Sequence, residues 1–137
     1  MNRSGETPIT PQTKPFQKNG LRRVWKAALH SLEGLGSALK HEAAFRQECI
    51  AALVLIPLAL FLNVSAVEKI LLIGVIFLVL ITELMNSAVE WCIDYISTDL
   101  HPYAKRAKDI SSAAVLLSLV VGFGTWVAVL VSNWPSL

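Results

Sequence analysis

Glu83, Asn86, Ser87, Glu90 and Asp94 are spaced three, one, three and four residues apart in the stretch Glu83-Leu-Met-Asn86-Ser-Ala-Val-Glu90-Trp-Cys-Ile-Asp94. At about 100° per residue, all five fall within one narrow stripe of a helix. A row of carboxylates with a carboxamide suits a cation site, and oxygen-only ligands such as Glu90 favour Mg2+ over zinc or copper. Two further polar clusters accompany it. One is His41-Glu42-Ala-Ala-Phe45-Arg46-Gln47-Glu48, in which Glu42 and Arg46 are i, i+4 neighbours spaced to pair while Glu48 points to a different face. The other is Lys105-Arg106-Ala-Lys108-Asp109-Ile-Ser111-Ser112.

The elements that must position these residues are apolar. The chain has 137 residues, one domain at most, of which 54% are hydrophobic and only 16% charged. The apolar residues come in runs nearly free of charge, as in a protein that crosses a membrane. The predicted architecture is all-α: an N-terminal tail over 1–19, an amphipathic surface helix over about 20–40, and spans over about 43–64, 68–96 and 108–134. The tail is polar with three prolines and reads as disordered, without the apolar core of a signal peptide. In the surface helix Leu21, Val24, Trp25, Ala28, Leu32, Leu35 and Leu39 make one stripe, with Arg22, Arg23, Lys26, His30 and Glu33 elsewhere around it. A basic amphipathic helix carrying a Trp suits the membrane interface. Cys49 and Cys92 show no metal-ligand spacing, and no basic stripe interleaved with aromatics supports nucleic-acid binding.

Lys and Arg placement sets the orientation. Arg22, Arg23, Lys26, Lys40 and Arg46 precede the first span, and Lys105, Arg106 and Lys108 follow the second. The loop between the first two spans holds only Lys69, and the C-terminal tail holds none. This predicts an inside N-terminus and an outside C-terminus. Glu83 lies thirteen residues beyond Ile70, about 20 Å along the helix, deep enough that its carboxylate must face protein, metal or water. The stripe therefore ends at the cytoplasmic surface, where the other two clusters also lie, and it places an acid within reach of a lipid hydroxyl. No GxxxxGK loop, kinase glycine-rich loop or HExxH is present, so any phosphoryl transfer rests on metal ions and lysine rather than on a backbone phosphate cradle.

Each feature has a plainer reading. Glu83 alone could be a packing acid, Glu90 and Asp94 solvated acids, and Glu42 with Arg46 a surface ion pair worth little. Lys105, Arg106 and Lys108 could serve only topology. Trp25, Trp91, Trp126 and Trp134 suit boundary or core packing, and Gly122-Phe-Gly124 suits a close helix-packing patch.

The segments HEAAFRQE (41–48), ELMNSAVE (83–90) and AKRAKDISSAAVL (104–116) together resemble the prokaryotic diacylglycerol kinases, small trimeric integral membrane enzymes. The resemblance covers about residue 20 to the end. The intact FRQE segment is more similar to the Gram-negative diacylglycerol kinases than to the undecaprenol kinases of Gram-positive bacteria. It implies phosphorylation of diacylglycerol by ATP with Mg2+, by a homotrimer in the bacterial inner membrane with a cytoplasmic N-terminus and a periplasmic C-terminus. By the resemblance Glu83 would be the general base and Asn86 would orient the catalytic groups. Glu42 and Glu90 would hold the Mg2+ that accompanies ATP, Lys108 the phosphates, and Asp109, Arg23 and His30 the rest of the nucleotide. Ser112, Glu48 and Arg46, with Arg23 and Ser31 on the surface helix, would line the lipid side beside Glu83. His30 stands where the family often presents a tyrosine; an imidazole can still stack there. Two other functions remain open from the residues alone: an undecaprenol kinase with the same chemistry, or a small oligomeric channel or proton-coupled transporter using Glu83 as its ion site. Against the last, the polar residues gather at one membrane face, whereas a pathway needs them on both sides of the midplane.

Overall fold

The computed structural model describes residues 20–96 and 101–134, so the expected tail over 1–19 lies outside the described residues. Four helices follow one another: α1 (Gly20–His41), α2 (Ala43–Phe61), α3 (Ala66–Ile96) and α4 (Pro102–Asn133). The chain divides into two compact units, residues 1–33 and 34–137. The described part of the first unit is wholly helical and carries the Leu21, Val24, Trp25, Ala28 and Leu32 stripe. The second unit holds the end of α1 and all of α2, α3 and α4.

α2, α3 and α4 are each long and apolar enough to cross a membrane. At 19 residues α2 reaches about 28 Å, close to a hydrocarbon thickness of about 30 Å. α3, at 31 residues, reaches about 46 Å, so its last turns project beyond the hydrocarbon. Pro57 inside α2 forgoes one backbone bond, which a membrane helix tolerates. α3 is the central helix and packs on both α4 and α2.

The end of the bundle remote from Glu83 is closed by side chains. Ser65-Ala-Val-Glu68 forms a reciprocal cap: Glu68 Oε2 accepts from the Ser65 amide at 2.8 Å and its hydroxyl at 2.6 Å, while Ser65 Oγ accepts from the Glu68 amide at 3.3 Å. Asn133 near the end of α4 donates to the other Glu68 oxygen at 2.8 Å. Lys69 Nζ donates to the Leu60 carbonyl at 2.8 Å, satisfying an orphan acceptor at the end of α2. Above these polar ties Ala59, Leu72 and Val129 form a small core, with Leu62, Val64, Ile73 and Trp126 against it. Mid-bundle, Thr82 Oγ1 and Ser118 Oγ lie 2.8 Å apart and join α3 to α4. In hydrocarbon such polar bridges and close packing replace the hydrophobic effect as the source of helix association.

Three expectations need correction. α4 starts at Pro102 rather than near residue 108: Pro102 opens the helix with its preset φ, and the ring nitrogen of His101 accepts from the Tyr103 amide at 3.3 Å. Lys108 and Asp109 are therefore in its second turn rather than its first. The pair of glycines is not one patch: Gly122 is buried against Val75 and Val79, whereas Gly124 faces open space. Finally, Arg46 does not pair with Glu42. It donates to the carbonyls of Leu39 (3.2 Å) and Lys40 (3.1 Å), which lie at the end of α1 and have no helical partner. Glu42 itself is the extended residue between α1 and α2 (φ −101, ψ 115), so the helical i, i+4 geometry is not available to it.

Glu68→Ala removes both the cap of α3 and its tie to α4. It is expected to lower stability by about 1–2 kcal/mol, read as a drop in thermal midpoint in detergent, and to leave turnover at saturating substrates unchanged.

Candidate functional site

The polar stripe of α3 lies in the packed interior of the second unit. Glu83 and Ser87 are buried, Asn86 and Glu90 half-buried, and Asp94 exposed, so the stripe runs from bundle interior to surface. Glu83 is only 5% exposed. The carboxylates of Glu42 and Glu90 lie within electrostatic reach of it, and Glu48 on α2 reaches it as well. Among the described residues none of these four acids forms an ion pair; the nearby cations are engaged elsewhere. Four carboxylates without a counter-cation make a strongly negative spot at the edge of a low-dielectric region. That field favours a cation or a proton.

Glu42 and Glu90 each owe their place to an identifiable neighbour. Asn86 Nδ2 donates to Glu90 Oε1 at 3.2 Å, while Ser111 of α4 lies 2.7 Å from Asn86 Oδ1 and donates to it. The carboxamide is thus used at both ends, joining Glu90 to α4. Glu42 at the α1–α2 break accepts from Trp91 Nε1 of α3. Phe45, one turn into α2, is buried and anchors that corner. Glu48 opens an apolar groove of about 330 Å³ walled by Ala51, Leu55, Val79, Leu119, Phe123 and Trp126. One oxygen of Glu48 and the indole nitrogen of Trp126 are buried in that groove with no hydrogen-bond partner among the described residues.

Two of the three cations of α4 are in ion pairs on the same end of the bundle, and Arg106 lies over the Tyr103 ring. Lys108 Nζ contacts Asp94 Oδ1 at 2.6 Å, and Lys105 contacts Asp109. Lys108 thus lies at the foot of the α3 stripe in company with Asp94. Asp109 and Ser112 are exposed on α4, and neither touches the stripe through a bond of its own among the described residues. In the first unit His30 Nδ1 lies 3.3 Å from Glu33 Oε2, and the Ser31 hydroxyl donates to the Ala27 carbonyl at 3.0 Å. Arg23 belongs to the same unit. Two residues that the sequence pattern did not single out are part of the network. Ser111 had a signal, standing three residues after Lys108 on the same helix face; Trp91 had none beyond being aromatic.

Among the described residues no group of three or more His, Cys, Asp or Glu converges as an all-protein metal site. Glu42 and Glu90 each spend one oxygen on Trp91 or Asn86, and among the described residues the other makes no hydrogen bond. Such a donor set fits Mg2+, which is commonly held by one or two carboxylates together with waters and substrate phosphates.

Three apolar spans that gather acids, a carboxamide and a lysine at one end define an integral membrane protein with a reactive polar end, the architecture of a membrane-embedded transferase. The sequence matches the prokaryotic diacylglycerol kinase family over residues 29–130. It is 44% identical over 115 residues to a diacylglycerol kinase of Escherichia coli strain K12, covering 84% of this chain and 94% of that one. The diacylglycerol kinase of Pseudomonas aeruginosa PAO1 is 45% identical over 117 residues, covering 85% and 95%. That of Helicobacter pylori J99 is 41% identical over 112 residues, covering 82% and 88%. This chain belongs to the prokaryotic diacylglycerol kinase family.

Asp94 is exposed in its pair with Lys108, so Asp94→Asn is expected to cost no more than about 1 kcal/mol of stability, whereas Asn86→Ala, which removes the bonds to both Glu90 and Ser111, costs about 1–3 kcal/mol. Thermal unfolding of the two variants side by side checks the order.

Proposed function

We propose that this chain transfers the terminal phosphate of ATP to the free hydroxyl of diacylglycerol, giving phosphatidic acid and ADP, at the cytoplasmic face of a bacterial inner membrane. The observation that carries the reading is the buried Glu83 surrounded by Glu42, Glu48 and Glu90 at one end of a membrane bundle. Relatives at 41–45% identity that are diacylglycerol kinases suggest the lipid.

In this reading Glu83 accepts the proton of the lipid hydroxyl. The hydroxyl oxygen then attacks the γ-phosphorus, the bond to the bridging oxygen of the β-phosphate breaks, and ADP leaves with that oxygen. Positioning and charge neutralisation do most of the work in such a transfer. Asn86 holds Glu90 in place, and Lys108 exchanges its exposed bond to Asp94 for the phosphates, a change that costs little because a solvated ion pair is weak. Arg23, His30 and Asp109 approach the rest of the nucleotide. Glu42 and Glu90 would hold Mg2+, and the bound ion would neutralise charge on the phosphates. Glu48 at the mouth of the apolar groove meets the glycerol end of the lipid, with Arg46, Ser31 and Ser112 on the lipid side. The acyl chains stay in hydrocarbon.

The active form is proposed to be a homotrimer with cytoplasmic N-termini. Three thin helices per chain leave large apolar side chains such as Leu53, Phe61 and Phe123 exposed, and Ser87 buried on α3 without a partner among the described residues. Lys and Arg gather before α2 and at the start of α4, as expected of cytoplasmic segments.

The test is transfer from labelled ATP in mixed micelles with Mg2+, offering diacylglycerol, undecaprenol or no lipid. Label on diacylglycerol supports the reading; label mainly on undecaprenol moves the chain to the other lipid. Glu83→Gln is expected to reduce turnover by at least about a hundredfold, within the range for loss of a general base, while the oligomer stays intact by size-exclusion chromatography. Near-normal turnover in that variant would remove Glu83 as the base. Glu90→Gln is expected to raise the Mg2+ concentration for half-maximal rate by about tenfold, and an unshifted Mg2+ titration would count against a ligand role.

A further inference from the structure

Trp91 reads in the sequence as a boundary aromatic, yet its indole N–H is spent on Glu42 Oε1, forty-nine residues away in the chain. The ring is held in turn by His41, which meets it edge-on at a centroid distance of 5.7 Å and 66°. His41 Nδ1 lies 3.0 Å from the Ser37 carbonyl on α1. The end of α1, the α1–α2 break and the last turns of α3 are thus clasped at one point.

Glu42 needs such a clasp. It is the extended residue between two helices, and its side chain makes no capping bond to the backbone of α2. The nearest expected partner, Arg46, is committed to α1 carbonyls. Trp91 is the only side chain that bonds the Glu42 carboxylate among the described residues. The chemistry of the donor matters. An indole offers one N–H and no acceptor, so it fixes one carboxylate oxygen and leaves the second available. It is also uncharged. A lysine or arginine in that place would neutralise the carboxylate and compete with a cation; Trp91 orients the group without discharging it.

We propose that Trp91 is a positioning residue, which aims the free oxygen of Glu42 at the divalent cation that accompanies the nucleotide. This rests on the reading of Glu42 as a metal ligand given above. Outer-sphere partners of this kind fix the orientation of ligating groups and set affinity through them.

The test uses the full chain in mixed micelles, with Mn2+ standing for Mg2+ and a non-hydrolysable ATP analogue. Binding is measured by titration calorimetry with and without Mn2+ for wild type, Trp91→Phe, Glu42→Gln and the double variant. Phenylalanine keeps an aromatic ring on the His41 side and removes the N–H together with the five-membered part of the indole. Trp91→Phe is expected to weaken Mn2+-dependent analogue binding about tenfold, the low end for outer-sphere partners, and to leave metal-free analogue binding unchanged. The double variant is expected to bind no more weakly than Glu42→Gln alone. In turnover, the Mg2+ requirement of Trp91→Phe rises while kcat at saturating Mg2+ holds. Unchanged Mn2+-dependent binding in Trp91→Phe overturns the proposal. So does a parallel loss of metal-free binding, which marks a merely structural residue, or an equal further loss in the Glu42→Gln background. If Glu42→Gln itself leaves Mn2+ binding intact, the ligand reading of Glu42 falls and this proposal with it. That outcome is distinct from one in which Glu42→Gln weakens binding and Trp91→Phe does not.

Discussion

Everything at the polar end follows from the cost of holding a carboxylate where water is scarce. In hydrocarbon every polar group has to find its partner within the protein or in a ligand, and an ionised acid is the most demanding case. The chain places acids at both ends of its central helix and treats them in opposite ways. Glu68 is well satisfied: bonds from the Ser65 amide, the Ser65 hydroxyl and the Asn133 carboxamide engage both of its oxygens and join the start of α3 to the end of α4. Such a group can cap a helix and tie it to a neighbour, but it has little left to give a substrate.

At the other end the same residue type is kept under-satisfied. Glu83 is buried beside three other acids; among the described residues Glu48 has a buried oxygen without a partner, and Glu42 and Glu90 each have an oxygen that makes no hydrogen bond. The bonds that do reach these acids come from neutral donors, Asn86 and Trp91, which orient without neutralising. The cations stand one layer further out, on Asp94, Asp109 and the α1 carbonyls. This separation of acids from bases costs stability, and the well-satisfied opposite end with its small core around Leu72 offsets part of that cost. Function and stability are placed at opposite ends of one helix.

The division between what the sequence discloses and what it hides has a physical origin. Three spans and the α3 stripe are legible because helical periodicity and charge-free runs are properties of consecutive residues, and Glu83, Asn86 and Glu90 fall on one face by arithmetic alone. The cap at Ser65 and Glu68 was equally local, with the spacing of a capping box, and the start of α4 was signalled by Pro102 behind His101. What the sequence could not show is which partner wins when several compete. Arg46 is spaced to pair with Glu42, but the break at Glu42 turns that carboxylate toward α3 and leaves Arg46 to the unfilled carbonyls of α1. Trp91 meeting Glu42 and Ser111 meeting Asn86 depend on how α3 sets against its neighbours, which no local pattern encodes.

On the proposed reading, the arrangement also accounts for how so small a chain would handle a triphosphate without a glycine-rich loop. A phosphate cradle built from backbone N–H groups requires a helix N-terminus or a turn left open to the ligand. Among the described residues, the His101 ring accepts from an amide at the start of α4, and Ser65 with Glu68 caps α3 at the wrong end of the bundle. The α1–α2 break carries Glu42, whose carboxylate turns to Trp91 rather than capping α2 and whose negative charge disfavours a phosphate at those amides. What remains for a polyanion is lysine, and a cation held between acids. Lys108 can serve because its present partner, Asp94, lies on the solvent side of the stripe, where the pair is worth little and can be exchanged. Had Lys108 been paired with buried Glu83, the same exchange would leave an uncompensated charge in a low-dielectric interior, and the site would resist its own substrate.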